Sequence, residues 1–348
     1  ATRTTGTTGR PTEVWLSRYE MELWPALGAL ASVLRGELLP GDVMQVNLSS
    51  RSTAAMHLAA AGCRLAGAGC RPLGIVPPGT ALDSLADGSV TVLLTVPSYL
   101  AELVTAARRA GCGADDFRLR RLVVGGEVLS ASLAQAAART FGIARVEDPY
   151  SMTEVAPVSG RTCSQAHQHF DLNLGLTELV DLDTREPAAP GALGTLVITP
   201  FFPYRDCMPV FRYDTRDLAR RLPDAPLRCE LADIPATSQI LGKADQLLRL
   251  PGGEVVTSRQ LIEAIEALPA EPWPGRYRAT VCDGRIRLTL PATAIAGCGE
   301  AEAGRHFAAA GLDVDLDIVG DDQAASLRRT RSDLHETTFA SQRALVGA

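Results

Sequence analysis

The first half of the chain alternates short apolar runs with longer stretches in which apolar residues return every three or four positions, the signature of strands followed by helices. Glu13–Leu16 predicts a short strand, and Ser17-Arg18-Tyr19-Glu20 supplies an S-x-x-E capping box for the helix after it. Asp42–Leu48 predicts another strand. Val90–Thr95 is a β-branched apolar run, and Pro97 then opens a helix with Leu100, Leu103, Val104 and Ala107 on one face before Gly111. Leu122–Val124 ends in Gly125-Gly126-Glu127, a helix follows from about Ser130 to Thr140, and Ala144–Glu147 gives the next strand. Repeated βα units of this kind predict an α/β domain.

From Thr177 the rhythm changes to that of hairpins. Glu178–Leu182 and Gly194–Thr199 are joined through Glu186-Pro187 and Pro190-Gly191, so a mixed sheet region is expected. Past Gly242 come a short strand, the turn Pro251-Gly252-Gly253, and a helix capped at Thr257 that buries Leu261, Ile262, Ile265 and Leu268 until Pro269 stops it. Tyr277–Cys282 and Arg285–Leu290 should pair across Asp283-Gly284. A helix near Glu300–Ala310 and a strand at Val314–Val319 complete a small α+β unit. The boundary falls near Leu241–Asp245, dividing the chain into a large domain, 1–241, and a small one, 242–348.

The 348-residue length agrees with two domains, because single cores stop growing near ~250–300 residues. A net charge of -6 argues against a nucleic-acid or anionic-membrane surface. No apolar run approaches the roughly 20 residues needed to cross a bilayer, and no basic-then-apolar leader is present, so a cytoplasmic protein with small-molecule or protein partners is expected. Eight cysteines without dense, regular spacing read as reduced thiols. Lys243 is the only lysine, which excludes lysine chemistry everywhere else.

Thr4-Thr5-Gly6-Thr7-Thr8-Gly9 is a hydroxyl-and-glycine segment suited to phosphate, since glycine lets backbone N–H groups converge and threonine adds donors. Taken alone it reads equally as a polar leader. Four further segments follow in order: Gly125-Gly126-Glu127, Asp148-Pro149-Tyr150-Ser151-Met152-Thr153-Glu154, Phe211-Arg212-Tyr213-Asp214-Thr215-Arg216-Asp217-Leu218 and Gly242-Lys243-Ala244-Asp245. Together the five resemble the adenylate-forming enzymes. The R-Y-x-T-R-D-L stretch and Pro97-Ser98-Tyr99 look most like phenylacetate–CoA ligases, and the likeness runs from Thr4 to about Leu268.

The resemblance implies that superfamily's fold: a large mixed α/β AMP-binding domain, here without the usual N-terminal segment, and a small mobile α+β domain. It implies ATP-dependent activation of a small carboxylic acid as its acyl- or aryl-adenylate, with transfer to coenzyme A or another thiol or amine acceptor. The Thr4–Gly9 loop would cradle the β- and γ-phosphates of ATP, Thr153 would sit against the α-phosphate, and Glu154 would hold Mg²⁺. Gly125, Gly126, Glu127, Asp148, Tyr150 and Ser151 would surround the nucleotide, with adenine on the Tyr150 ring and the ribose hydroxyls on Asp217. Lys243 stands where the family has arginine, and Asp245 at the hinge of the small domain. Tyr99, Val128 and Asn47, the last within the polar stretch Asn47–Ser50, are candidate acid-pocket residues in the crevice beyond the strand ends. That polarity leaves a benzenoid acid and a smaller or more polar one equally open.

Two departures from the family pattern stand out. The catalytic lysine expected near the C-terminus is replaced by about Asp333 in Arg328-Arg329-Thr330-Arg331-Ser332-Asp333, which leaves Arg331 or Arg329 as the candidate cation and a non-catalytic or transfer-only relative as the alternative. The sequence also starts at the phosphate loop, where relatives carry a further segment of about a hundred residues, the size of a small domain. The expectation is that a homodimer covers the exposed strand edges or that a second chain supplies the missing segment. Finally, Cys163, His169, Cys207 and Cys229 are candidate ligands for structural Zn²⁺. His167 and His169 alternate on a strand-like stretch and would face opposite ways, so at most one of the two is a natural ligand. The bland reading, buried cysteines beside exposed histidines, stands next to it.

Overall fold

In a computed structural model, residues 2–3, 12–49, 53–324 and 326–327 are described. The phosphate-loop residues Thr4, Thr5, Gly6, Thr7, Thr8 and Gly9, together with Ser50 and Arg328–Asp333, lie outside them. The described residues form two compact units, one of 2–3, 12–129 and 134–240, the other of 130–133 and 241 onward.

The first unit is built on a five-stranded parallel sheet. In chain order its elements are α1 (Arg18–Leu34), β1 (Val43–Val46), α2 (Thr53–Leu65), β2 (Gly69–Pro72), α3 (Pro78–Ala86), β3 (Val92–Thr95), α4 (Pro97–Ala110), β4 (Arg121–Val124), α5 (Ala131–Phe141) and β5 (Val146–Glu147). Spatially the strands run β2-β1-β3-β4-β5. The local signals act as the sequence predicts. Ser17 and Glu20 close the capping box of α1, each side chain accepting the other's backbone N–H. Pro97 starts α4, and Gly111 ends it in the left-handed conformation that glycine adopts without strain. Helices α2 and α3, which the apolar pattern passes over as it does strand β2, contribute Cys63, Ala81 and Leu82 to the core.

Two antiparallel sheets follow. One joins β6 (Tyr150–Ser151), β7 (Ser159–Thr162), β8 (Gln168–Phe170) and, after a long excursion, β12 (Ala236–Thr237). The other pairs β9 (Gly175–Asp181) with β10 (Leu193–Pro200) and β10 with β11 (Tyr213–Arg220). Tyr150, Val155, Val158 and Phe170 from the first pack on Leu196, Ile198 and Ala219 from the second. The expected hairpin is present: its first strand starts at Gly175 and ends at Asp181, one residue short of the predicted end, and its second runs one residue further at each end, Leu193–Pro200.

The second unit holds α6 (Ser258–Glu266), β13 (Arg278–Cys282), β14 (Arg285–Pro291), α7 (Gly299–Ala309) and β15 (Val314–Val319). Asp283 and Gly284 both take positive φ, as a tight two-residue hairpin requires, and β14 then pairs in parallel with β15. Leu261, Ile262, Ile265, Leu288, Leu290 and Phe307 form its buried interior.

At the amino ends of the parallel strands, Asp42 is nearly buried and collects hydrogen bonds from Arg120, the Leu39 N–H and the Thr91 hydroxyl. Burial opposes its ionisation, but these donors win and hold the carboxyl at about 2. The stabilisation is complete above the ordinary carboxylate pKa near 3.9 and fades as pH falls towards the folded value. Asp42→Asn should therefore cost about 1–3 kcal/mol at neutral pH in urea unfolding. The gap between wild type and variant should narrow below about pH 4.

Candidate active site

Three neighbouring strands of the parallel sheet end side by side, and each delivers one of the sequence motifs. Beyond β3 lie Pro97-Ser98-Tyr99, beyond β4 Gly125-Gly126-Glu127, and beyond β5 Asp148-Pro149-Tyr150. The Gly125 N–H donates to the Thr95 carbonyl at 3.3 Å, and a Cβ at Gly125 would meet the Pro149 carbonyl oxygen at 3.8 Å. Residues remote in sequence thus share one edge, the place where open parallel sheets bind ligands.

Tyr150 and Asp217 come together across 67 residues. The Tyr150 hydroxyl donates to Asp217 Oδ2 at 2.8 Å, and both residues are 8% exposed. Burial, then the Asp217 charge, pushes the phenol pKa well above its usual value, so the proton stays on Tyr150. Asp217 is aimed by its own strand. The β10–β11 register slips between Thr195 and Val197, Arg216 takes φ 59, and the Thr215 hydroxyl both donates to the Leu196 carbonyl and accepts from the Asp217 N–H. Such bulges re-aim a side chain at the cost of one unpaired step.

Behind Tyr150 the packing leaves no slack. Its ring meets Phe170 in a T-shaped contact with centroids 5.6 Å apart, and Gly160 pairs with both Tyr150 and Phe170 in the register. A Cβ at Gly160 would lie 2.9 Å from Phe170 Cε1 and 3.0 Å from Gln168 Oε1. Glu154 is buried in the one-turn helix Thr153–Val155, where its charge raises the Tyr213 pKa together with burial of that ring.

Arg205 belongs to this neighbourhood although no motif or spacing marks it. Its side chain is 1% exposed, stands over the Trp24 ring at 5.3 Å, donates from Nε to the Met208 carbonyl and faces Glu20 at 3.8 Å. Burial lowers its pKa, while the charges of Glu20 and Glu154 oppose that. Neither terminal nitrogen makes a hydrogen bond to the described residues. A lone arginine in the loop Phe201-Phe202-Pro203-Tyr204-Arg205 reads as a surface residue, and only the fold reveals it as an interior cation.

Other expectations meet different geometry. The Glu127 carboxylate accepts from the Ser98 N–H and hydroxyl at 2.9 and 2.8 Å, which caps α4. Asp148 contributes its carbonyl, which accepts from Thr162 and Gln168 side chains, and Ser151 is exposed at the end of β6. Asn47 does not offer an open pocket surface: it is fully buried, bonded to Gln45 Nε2 and donating to the Gly74 carbonyl at 2.7 Å. Tyr99 is buried with its hydroxyl on the Val76 carbonyl, and Val128 is buried beside the Gly125–Glu127 turn. Lys243 and Asp245 are half-buried in the second unit, flanking the start of a one-turn helix at Ala244–Gln246. Arg331 falls outside the described residues.

The cysteine and histidine expectation needs correction. Cys163, His167, His169 and Cys229 bring one ligand atom each within 4.8 Å of one another, and Cys207 is not in the group. His167 precedes β8 and belongs to a tight turn closed by the Cys163 N–H to His167 carbonyl bond, with Ala166 at φ 60. Strand alternation therefore does not apply to it, and the two rings approach to 6.1 Å between centroids. Cys207 lies in the loop after β10, near Arg205.

The parallel sheet with its motif-bearing carboxyl edge, followed by the bulged strand of Asp217, is the architecture of adenylate-forming enzymes. The profile described as AMP-binding enzyme matches residues 4–199, more than half the chain, and the protein belongs to that family. It is similar to phenylacetate-coenzyme A ligases from Pseudomonas putida, 26% identical over 72% of this chain and 56% of the relative, and from Thermus thermophilus, 26% identical over 82% and 64%. The chain thus spans somewhat over half the length of these relatives. Among solved structures, 2-hydroxyisobutyryl-CoA ligase in complex with 2-HIB-AMP superposes with a TM-score of 0.72 at 21% identity, over 92% of this chain and 69% of that one. ATP-bound MatB from Rhodopseudomonas palustris gives 0.67 at 20% identity, over 92% and 63%. These likenesses establish the fold. No helix among the described residues is long and apolar enough to cross a membrane.

Gly160→Ala should destabilise the first unit by about 1–3 kcal/mol through overpacking against Phe170. It should also disturb Tyr150, which near-ultraviolet circular dichroism would report.

Proposed function

We propose that the protein takes part in ATP-dependent activation of a carboxylic acid as an acyl- or aryl-adenylate, with coenzyme A as the acceptor. The observation that carries this reading is the Tyr150–Asp217 pair at the carboxyl edge of the parallel sheet, with Glu154 nearby, in a chain whose curated relatives are CoA ligases. Those relatives favour the catalytic reading over a non-catalytic one.

A carboxylate is a poor electrophile until its oxygen becomes a leaving group, and transfer of AMP from ATP achieves that. The work left to the protein is positioning and charge stabilisation. In this reading Asp217 accepts hydrogen bonds from the ribose hydroxyls while the Tyr150 hydroxyl occupies one of the carboxylate's acceptor sites and fixes its orientation. Tyr150 borders the adenine, and Gly125 and Gly126 let the base approach the backbone. Thr153 sits by the α-phosphate, with Thr4–Gly9 around the outer phosphates.

Mg²⁺ is commonly held by only one or two carboxylates plus phosphate oxygens, and Glu154 fits that pattern; the ion would offset phosphate charge there. The Arg205 guanidinium is buried within electrostatic reach of Glu154 and partly offsets its charge. The second unit acts as the small domain that turns about Asp245 between half-reactions, and Lys243 and Arg331 supply cations. The acid stays open between aryl and smaller polar carboxylates, because Asn47 is committed to the interior and does not set the polarity of the pocket.

The test is exchange of labelled pyrophosphate into ATP over a panel that includes phenylacetate and small hydroxy acids. Exchange with at least one acid is expected. Glu154→Gln should lower it by roughly 10²-fold or more, and Asp217→Ala should raise the KM for ATP by roughly 10-fold or more, the scale of a lost charged hydrogen bond. Folded protein that exchanges with no acid speaks against the proposal.

A further inference from the structure

The cluster at the β7–β8 turn has no part in nucleotide chemistry, yet its side chains are arranged as a ligand set. Cys163 is buried on the turn, His169 is fully buried on β8, and Cys229 comes from the long connection between β11 and β12. The turn brings Cys163 and His167 to one side: the His167 N–H donates to Cys163 Sγ at 3.3 Å while the His167 carbonyl accepts from the Cys163 N–H. His169 Nδ1 bonds the Ile234 carbonyl at 2.9 Å, which makes Nδ1 the protonated nitrogen and leaves the Nε2 lone pair turned towards Cys229 Sγ at 3.4 Å. Metal-bound histidines are oriented in this way by a backbone carbonyl behind them. Among the described residues the buried His167 Nδ1 has no hydrogen-bond partner, although buried polar atoms are almost always partnered.

We propose that Cys163, His167, His169 and Cys229 form a structural zinc site. A tetrahedral zinc with sulfur at about 2.3 Å and nitrogen at about 2.0–2.1 Å spaces its ligand atoms roughly 3.3–3.8 Å apart. The four atoms already lie within 4.8 Å of each other, so binding requires side-chain adjustment rather than refolding. Two thiolates and two imidazoles suit zinc in preference to magnesium or calcium, and with four protein ligands the site has no position for a substrate.

The metal would tie together pieces that otherwise share little. Cys229 sits in a connection whose other anchors include Glu230, which accepts from the Ser164 N–H and hydroxyl, the His169–Ile234 bond and the Phe170 N–H to Pro235 carbonyl bond. The ion therefore fastens that connection to the turn of the sheet that also carries Tyr150. This inference is independent of the enzymatic proposal, and its readouts involve no turnover.

The experiment is elemental analysis of the full chain purified under reducing conditions from zinc-supplemented medium, followed by cobalt replacement. One zinc per chain is expected. Cobalt should give the visible bands of a tetrahedral ion and a near-ultraviolet thiolate charge-transfer band. A chelator should lower the melting temperature of wild type. Cys163→Ser and Cys229→Ser should lose the metal, His167→Ala should weaken zinc binding by more than about 10-fold, and Cys207→Ser should keep it. If the cysteine variants fail to fold, the wild-type cobalt spectrum still decides. Folded protein without zinc, an octahedral cobalt spectrum lacking charge transfer, a Cys163–Cys229 disulfide in place of metal, or zinc loss in Cys207→Ser would each overturn the assignment.

Discussion

The Tyr150 hydroxyl is buried, and its bond to Asp217 fixes the geometry of everything around the candidate site. A phenol placed under two sheets without a partner would carry a desolvation cost of about 1–3 kcal/mol. Asp217 removes that cost only because β11 is bulged so that its carboxylate points inward. The bond therefore couples the end of the parallel sheet, which positions Tyr150, to the antiparallel sheet, which positions Asp217. Gly160 and Phe170 complete the constraint from behind.

The same coupling explains why the motifs are short and far apart in sequence. The parallel sheet sets three loop starts along one edge, and each loop needs only a few residues to reach the site. Glu127 spends its carboxylate capping α4, which holds two of those loops together. Arg205 and Glu20 do comparable work on the other flank, where the Glu20 of the α1 capping box also accepts from the Asp206 N–H at 3.0 Å. One carboxylate thus serves both a helix end and a distant loop.

What could be read from the sequence was whatever has a local cause. Ser17 with Glu20, Pro97 with Gly111, Thr257 with Gln260, and Asp283-Gly284 each determine a cap or a turn within a few residues, and each appears in the structure. The motif order likewise pointed to the family. Helix α2 escaped because its alanine-rich run carries little periodic contrast, α3 because nine residues are too few to show a period, and β2, Gly69–Pro72, because it lacks the β-branched residues that mark a strand. The fate of Asn47, the burial of Arg205, and the choice of His167 over Cys207 depend on contacts between residues remote in sequence. Spacing along the chain holds no record of these.

The account rests on Asp217 being the ribose acceptor at the carboxyl edge of the parallel sheet, and a crystal structure of the complex with AMP tests that most directly. Ribose hydroxyl oxygens are expected about 2.5–3.0 Å from the Asp217 carboxylate, with the base beside Tyr150 and the Gly125-Gly126 turn. AMP bound away from that edge, or at it with Asp217 still turned from the ribose, would contradict it.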